Sequence, residues 1–204
     1  IFNCSIHDTE GNNCISIKDR GNVTVRGCII YNSGANGISA YTSGSSEWSS
    51  RKNNNVQVLE NTIHDNSKSG FFVYGDGAVV RNNEFYENGK GDSDGYYHNV
   101  YISGDDAIVE KNVLRDAAFG DGLRFLGSNL TARYNFIHHN RKHGIGIWND
   151  YPVAHINLNI SYNLFIQRDY PQTPVSLPLA INIDNASGAG SFSDIRIYNN
   201  SVYG

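Results

Sequence analysis

The chain has 204 residues, enough to bury a sizeable core, and we expect one domain over 1–204. Its net charge is −4 and no basic stripe runs along it, which argues against a nucleic-acid partner. No apolar run reaches the length of about 18 residues typical of a membrane span, so we expect no membrane insertion. A content of 39% hydrophobic residues with 21 glycines and 4 prolines favours an all-β protein with many turns.

Three cysteines, Cys4, Cys14 and Cys28, lie near the start of the sequence. One interpretation is that they are small buried hydrophobic residues. The other is a disulfide between Cys4 and Cys28, which occupy nearly equivalent positions on successive repeats and would leave one thiol over. The sequence leaves both open.

A short segment recurs along the chain and consists of a polar residue, a small residue and then two apolar residues separated by one free position. The copies span 13–17, 36–40, 69–73, 97–104, 121–125, 143–147 and 179–183. Between them lie apolar alternating segments at 23–29, 56–66, 79–88, 108–116, 130–140, 158–165 and 195–202.

The repeat period is in the low twenties, since Val100, Leu123 and Ile145 are 23 and 22 residues apart. That is too short for a propeller blade of about 40 residues. Leucine-rich repeats need leucine at most apolar positions, whereas this chain mixes Ile, Val, Phe and Leu and shows no helical periodicity. We therefore predict an all-β fold, a right-handed single-stranded parallel β-helix: a three-sheet solenoid of about seven to eight coils.

A column of asparagines falls between the second and third strand of successive coils. Its members are Asn61, Asn83, Asn112, Asn135, Asn163 and Asn200, with Gly27 and Cys4 in the earlier coils. Asparagine tolerates left-handed backbone geometry, so we expect it at the bend itself. Stacked asparagine side chains can also form a hydrogen-bonded ladder along the axis.

The asparagine column and the small–apolar–x–apolar strands resemble the right-handed parallel β-helix repeat proteins of the pectate-lyase-like superfamily, over nearly the whole chain. The resemblance implies a polysaccharide partner and a secreted or cell-surface location. It does not select an activity, because the superfamily includes lyases, hydrolases, epimerases, phage tailspikes and adhesins.

Insertions in the repeat indicate where a site would lie. The excess residues fall in 43–55, 89–97, 149–155 and 167–178, all flanking the first-strand sheet, so we expect a groove along that sheet. No polar or helical cap is recognisable at either end. We therefore expect a fragment of a longer chain, and self-association through uncapped ends.

Strand alternation selects the side chains that face this groove. With Val100 and Ile102 inward, Tyr101 and Ser103 point outward, and Arg124 does so on the next coil. One position of the repeat, ahead of each strand, carries a histidine, an aspartate and a histidine on three successive coils. The predicted catalytic residues are therefore His98, Tyr101, Asp121, Arg124 and His143.

This set suits β-elimination or C5 epimerisation of uronate polymers. Arg124 would neutralise the carboxylate, His98 or His143 would remove the C5 proton, and Tyr101 would assist the leaving oxygen. Asp121 would orient a histidine or help to bind calcium, a cofactor for which Asp92 and Asp94 are the other candidate ligands. The predicted substrate-binding residues are Tyr74, Tyr97, Lys142, Trp148, Asn149 and Tyr151.

Other interpretations stay open. One alternative is that both histidines and Asp121 are structural residues that hydrogen-bond backbone groups in a turn. The Asp-Pro-His-Asp motif of the alginate epimerases is missing, which counts against an epimerase. A polygalacturonase-like hydrolase needs paired carboxylates about 6.5–9.5 Å apart, but Asp105 and Asp106 fall in a turn. A non-catalytic carbohydrate-binding, adhesive or fibre-type solenoid is the alternative from another class.

Overall fold

The computed structural model describes residues 1–41, 53–91, 94–149, 154–167, 179–185 and 190–204. Over these ranges the chain winds into coils that contribute one strand to each of three parallel sheets, which confirms the predicted β-helix. Within the same ranges, the structure has no helix that could cross a membrane.

Sheet 1 follows the recurring segment that carries the predicted groove. Its seven strands are Ile15–Lys18, Ile38–Tyr41, Phe71–Tyr74, Val100–Ser103, Leu123–Leu126, Ile145–Trp148 and Ile181–Asp184. Sheet 2 has seven strands, Thr24–Arg26, Gln57–Leu59, Val79–Arg81, Ile108–Glu110, Leu130–Arg133, Ala154–Ser161 and Ser191–Tyr198. Sheet 3 has eight, Ser5–Thr9, Ile29–Ser33, Thr62–His64, Glu84–Tyr86, Val113–Arg115, Phe136–His138, Leu164–Ile166 and Ser201–Tyr203.

The core is a set of stacked columns, because pairing in register puts equivalent residues of successive coils side by side. Val100 pairs with Phe71 on one side and Leu123 on the other, and all three are fully buried. Burial of such columns supplies the main favourable free energy of the fold.

The asparagine column forms the predicted ladder. The Asn112 carboxamide oxygen accepts hydrogen bonds from the backbone N–H and the side-chain Nδ2 of Asn83, each at 3.0 Å. Its Nδ2 donates to the Val80 carbonyl at 2.9 Å and to Asn135 Oδ1 at 3.0 Å. Each asparagine therefore satisfies buried backbone groups at the bend while linking one coil to the next.

Our expectation that the asparagine itself takes the left-handed conformation was wrong. The positive φ angles belong to the preceding residues: Glu60 57°, Asn82 56°, Lys111 58°, Tyr134 58°, Tyr162 56° and Asn199 52°. The left-handed residue turns the chain, which leaves the asparagine side chain directed at the backbone of the neighbouring coils. The placement of Gly27 in the column was also one residue off, since Gly27 is the left-handed residue and Cys28 occupies the column.

A second ladder, which the sequence analysis did not identify, lies at the bend between sheets 3 and 1. Asn66, Asn88, Asn99 and Asn140 pass hydrogen bonds from one side chain to the next at 2.8, 2.9 and 3.1 Å. In one coil the ladder position is occupied by Ala117, which has no carboxamide. Asn99, from a different position of the repeat, supplies the missing side chain and donates to Asn140 Oδ1. Two of the three bends are therefore built on buried carboxamides.

The three cysteines are free thiols. Cys4 and Cys28 do stack on successive coils, with their Sγ atoms 3.2 Å apart, but they are not bonded to each other. Cys14 lies elsewhere, with its Sγ 3.5 Å from the Tyr31 carbonyl oxygen.

Replacing Asn112 by alanine should destabilise the protein strongly, because four hydrogen bonds of a buried side chain are lost. We expect the free energy of unfolding to fall by about 3 kcal/mol, measured by urea unfolding. Asn200→Ala is the matched control, since Asn200 is only partly buried and water can replace its partners. An equal loss in both variants would contradict the role assigned to the buried ladder.

Candidate functional site

A third column of hydrogen-bond acceptors stands two residues ahead of the first buried residue of each sheet 1 strand. Each member accepts the backbone N–H of its counterpart on the next coil. The members are Asn13, Asn36, Ser69, His98, Asp121 and His143, and the last donor is the N–H of Leu179. We call this set the acceptor column. The predicted alignment of His98, Asp121 and His143 is therefore observed, and all three bind backbone.

His98 is a neutral imidazole. Its Nδ1 accepts the backbone N–H of Asp121 at 2.9 Å, which places the ring proton on Nε2. The carboxylate Oδ2 of Asp121 also lies 3.5 Å from Nδ1 and would favour a charged ring, but the amide already occupies that nitrogen. Burial lowers the pKa of His98 to about 3, with Asp121 opposing the shift.

Asp121 is fully buried and binds two donors. Its Oδ1 accepts the His143 backbone N–H at 3.0 Å, and its Oδ2 accepts Arg124 Nε at 2.7 Å. Burial alone would raise the pKa of this carboxyl. The Arg124 guanidinium, with smaller contributions from His98 and His143, outweighs burial and holds the pKa below its usual value.

The Arg124 side chain contacts Trp148 as well as Asp121. Its guanidinium carbon lies 4.1 Å from the centre of the Trp148 ring, a cation–π contact. Tyr101 and Gly146 flank Arg124 in register on the two neighbouring strands. A Cβ atom on Gly146 would lie 2.5 Å from Asp121 Oδ2 and 3.4 Å from Arg124 Nε, so the ion pair needs glycine here.

His143 repeats the arrangement of His98 one coil beyond Asp121. Its Nδ1 accepts the Leu179 backbone N–H at 3.2 Å, and burial lowers its pKa. Both histidines therefore hold their proton on Nε2, where the ring can donate a hydrogen bond.

A cavity of about 190 Å³ lies on the outer face of sheet 1, beside His98 and Arg124. Its lining comprises His98, Tyr101, Arg124, Lys142 and Trp148, with Gly95, Tyr96 and Leu126. Lys142 Nζ approaches the carbonyl oxygens of Asp94 at 3.4 Å and Gly95 at 3.5 Å, which ties the segment before the Val100–Ser103 strand to the rim. Two cations and one neutral imidazole thus meet at one cavity.

The predicted catalytic residues lie together, but more deeply than expected. The sequence predicts exposed groove residues, yet His98, Asp121, Arg124 and His143 are only 2%, 0%, 6% and 4% exposed. Alternation gave the direction of these side chains correctly. It could not show that Tyr96 and Trp148 would complete a cavity around them.

The predicted substrate-binding residues divide into two groups. Lys142 and Trp148 line the cavity, and Tyr74 packs beside it with its ring centre 6.3 Å from that of Tyr101. Tyr97 instead packs under Lys68 Nζ at 5.4 Å, and Asn149 is buried in a turn with its N–H bound to the Asp184 carbonyl.

Tyr151 and Asp92 lie outside the described residues. Gly146, Tyr96 and Leu126 also belong to the site. Strand alternation places Gly146 and Leu126 on the outer face of sheet 1, but the sequence marks none of the three as a site residue. The visible signal for Gly146 was a glycine in register with Arg124, on a strand that otherwise carries large residues.

The expected calcium site lies only in part within the described residues. Asp94 is exposed, and the ammonium group of Lys142 lies against its carbonyl oxygen. Within the part of the chain that the structure describes, no three His, Cys, Asp or Glu side chains gather into a metal-binding group. Calcium stays a prediction that depends in part on Asp92.

Comparisons with known proteins agree with the fold. The model of the family described as "Right handed beta helix region" matches residues 1–165. No curated protein matches the chain in sequence at a significant level.

Among solved structures, the chain is similar to a periplasmic alginate epimerase, AlgG, with a TM-score of 0.57 and 16% identity over 96% of this chain and 48% of that one. A variant of the same enzyme gives a TM-score of 0.58 and 15% identity over 92% of this chain and 47% of that one. A GH136 lacto-N-biosidase from Eubacterium ramulus is more distant, with a TM-score of 0.45 and 13% identity over 90% of this chain and 35% of that one. The chain spans about half the length of the solved epimerase.

Acid should destabilise the protein through the buried histidines. Between about pH 6.5 and pH 4 the unfolded chain protonates the residue-98 imidazole while the folded chain does not, so stability falls as pH falls. The groups that face this ring are Asp121, Arg124, Lys142 and His143. His98→Asn keeps an acceptor for the Asp121 amide, as Asn36 does for Ser69, but removes the titration.

We expect His98→Asn to reduce the loss of unfolding free energy by up to about 1 kcal/mol per pH unit in this range, measured by urea unfolding at several pH values. Asn36→Ser, a change in the same acceptor column that involves no ionisable group, should leave this dependence of the unfolding free energy on pH unchanged. If the unfolding free energy depended on pH equally in His98→Asn and in the parent protein, the result would contradict a neutral buried ring.

Proposed function

We propose that this chain, which belongs to the right-handed β-helix family, engages an acidic polysaccharide over sheet 1 and acts on its uronate units by removing the C5 proton, as a lyase or an epimerase. One observation carries the proposal. After neutral members in the earlier coils, three consecutive positions of the acceptor column carry His98, Asp121 and His143. His98 lines the cavity together with Arg124 and Lys142.

The backbone alone does not require this change. Asn13 and Asn36 fill the same position in earlier coils with neutral side chains that accept the same type of hydrogen bond. A buried carboxylate and two buried imidazoles lose hydration that a carboxamide would not lose to the same degree. Their choice beside Arg124 therefore supports a role beyond the turn.

The charges suit a carboxylate ligand. Asp121 binds only Nε of Arg124, so the two terminal guanidinium nitrogens can serve a second acceptor. Lys142 supplies another positive charge at the rim. When a C5 proton leaves a uronate, negative charge moves onto the carboxylate, and these two cations would stabilise it in a site of low dielectric.

The ring proton of His98 redefines the role that we assign to this residue. A base needs an unprotonated nitrogen, but Nδ1 of His98 is occupied and Nε2 carries the proton. His98 is therefore a donor to a sugar oxygen in our proposal, and His143 holds the column in place. The proton transfer falls to Tyr101, which lines the cavity with its ring centre 5.8 Å from that of His98. As a phenolate it takes the C5 proton, and in a lyase the resulting phenol gives that proton to the leaving glycosidic oxygen. In an epimerase, water on the opposite face returns a proton to C5 and the hydroxide that forms takes the proton of the phenol.

The similarity to a periplasmic alginate epimerase supports the substrate class through the fold alone, at 16% identity. It also suggests a location outside the cytoplasm, and we propose a periplasmic, secreted or cell-surface protein. Whole-protein activity, including any metal dependence, is part of this proposal because the chain matches about half of that enzyme.

A non-catalytic polysaccharide-binding solenoid is the second candidate. It is favoured by the fact that His98, Asp121 and His143 all accept backbone N–H groups. In that case Arg124, Lys142 and Trp148 would bind an acidic sugar without proton transfer.

Tyr101→Phe should separate the two functions, because it removes the hydroxyl and keeps the ring. With uronate polymers as substrates, we expect the parent protein to yield unsaturated products seen by ultraviolet absorbance, or inverted C5 centres seen by NMR. We expect Tyr101→Phe to lower the rate by at least about 100-fold with binding retained. Tyr31→Phe, on the outer face of sheet 3, is the matched control and should keep the rate.

Arg124→Gln completes the set by testing carboxylate binding, which both functions require. Binding of uronate polymers that is lost in Arg124→Gln, without any reaction in the parent protein, would support the binding solenoid and reject the enzyme. The absence of both binding and reaction with every uronate polymer would reject both candidates.

A further inference from the structure

We propose that Cys4 and Cys28 form an oxidisable pair that joins the first two coils through a disulfide, at the position where the asparagine ladder stops. The site lies at the bend between sheets 2 and 3, away from the cavity on sheet 1. It is therefore independent of the proposed function.

The geometry of the pair is close to that of a disulfide. Ser5 pairs with Ile29 in parallel register, which puts Cys4 opposite Cys28 on neighbouring strands. Neighbouring strands lie about 4.8 Å apart, within the range of Cα separations that disulfides span. The two Sγ atoms are 3.2 Å apart, so a closure of about 1 Å would bring them to the bonded distance of about 2.05 Å.

The position explains why a covalent link would be useful there. Asn61 Oδ1 accepts the backbone N–H of Cys28 at 2.9 Å, so the ladder reaches this coil and ends. Cys28 carries no carboxamide to continue it, and its side chain contacts the preceding coil through the Cys4 sulfur. A disulfide would replace the missing side-chain hydrogen bonds with a bond along the same axis.

The third cysteine is not part of the pair. The Cys14 thiol lies 3.5 Å from the Tyr31 carbonyl oxygen and 3.7 Å from Thr9 Oγ1, where it makes hydrogen bonds of its own. Oxidation should therefore consume two thiols and leave one.

The reaction balances with a disulfide oxidant such as oxidised glutathione. The Cys4 thiolate, the more accessible of the two, attacks the glutathione disulfide and releases one glutathione thiolate. The Cys28 thiolate then attacks the Cys4 sulfur of the mixed disulfide and releases the second. Two protons leave the protein thiols, and the two electrons reduce the oxidant. Such disulfides persist in oxidising compartments, which agrees with the proposed location.

The rate should increase with pH, because the thiolate is the nucleophile. The hydrogen bond with Cys28, together with burial, raises the pKa of the Cys4 thiol above its ordinary value. The link closes a loop between residues 4 and 28, so it restricts the unfolded chain and should protect the coil that carries Cys4 from local opening.

The test compares the reduced chain with the chain treated with oxidised glutathione. We expect the number of free thiols, titrated in the denatured chain, to fall from three to one. The mass should fall by two hydrogen atoms, and peptide mapping should find a cross-link between Cys4 and Cys28. Cys14→Ser should keep the cross-link and should have no free thiol after oxidation. Cys4→Ser and Cys28→Ser should each abolish it.

The oxidised chain should also show a higher thermal midpoint and slower amide exchange in residues 5–33 than the reduced chain, with no such change in Cys4→Ser. Three thiols that persist after oxidation, a stable glutathione adduct on Cys4, or a cross-link that involves Cys14 would each overturn the proposal. Serine is close in size to cysteine, so reduced Cys4→Ser should have the same thermal midpoint as the reduced parent chain. That result would show that the variant lacks the cross-link because the thiol is missing and not because it fails to fold.

Discussion

The structure depends on satisfying the backbone groups that turn inward at each bend of a coil. Strands hydrogen-bond along the axis, but at the bends the backbone leaves the sheet geometry and presents N–H and C=O groups to a dry interior. Side chains fill this need in three columns, two made of asparagine and one with mixed acceptors. The sequence can vary at other positions of the repeat, whereas these positions must carry an acceptor in nearly every coil.

The candidate site uses the same constraint. The backbone amide of Asp121 binds Nδ1 of His98 and thereby fixes which ring nitrogen carries the proton. The amide of His143 binds one carboxylate oxygen of Asp121 and leaves the other for Arg124. His98 is held by backbone on one side and faces the cavity on the other, and Asp121 is held by backbone while it binds Arg124. Both are preorganised, because the fold rather than a ligand orders them. A role in the turn and a role in the site are therefore compatible for His98 and Asp121.

Periodicity was sufficient for the fold and for the residues that share a column. A 22- to 23-residue period with alternating strands predicts stacked coils, and equivalent positions then place His98, Asp121 and His143 in line. The left-handed residue could not be located in this way, since a column identifies the residue type and not its φ angle. Lys111 and Tyr134 take the strained conformation because the following asparagine must point inward. Composition gave no warning, as neither residue type favours that region.

Burial and protonation were also beyond the sequence, because they depend on contacts between distant segments. Tyr96, Lys142 and Trp148 come from three separate parts of the chain and together enclose Arg124 and His98. The tautomer of His98 depends on a single backbone amide one coil away. Sequence alone shows a histidine beside a tyrosine, which suggests a base and an acid. Only the hydrogen bond at Nδ1 shows that the proton of the imidazole is on Nε2.

The charges around the cavity then constrain the ligand that we propose. Asp121 neutralises one of the two cations, Arg124 and Lys142, so the group keeps one net positive charge while the histidines stay neutral. A ligand with one carboxylate per sugar unit would bring the cavity close to neutrality, whereas a more highly charged ligand would leave excess negative charge in a poorly solvated site. Gly146 preserves this balance, since any side chain there would displace Asp121 from Arg124. In our proposal, the preference for a monoanionic unit depends on this ion pair and on the small residue that makes room for it.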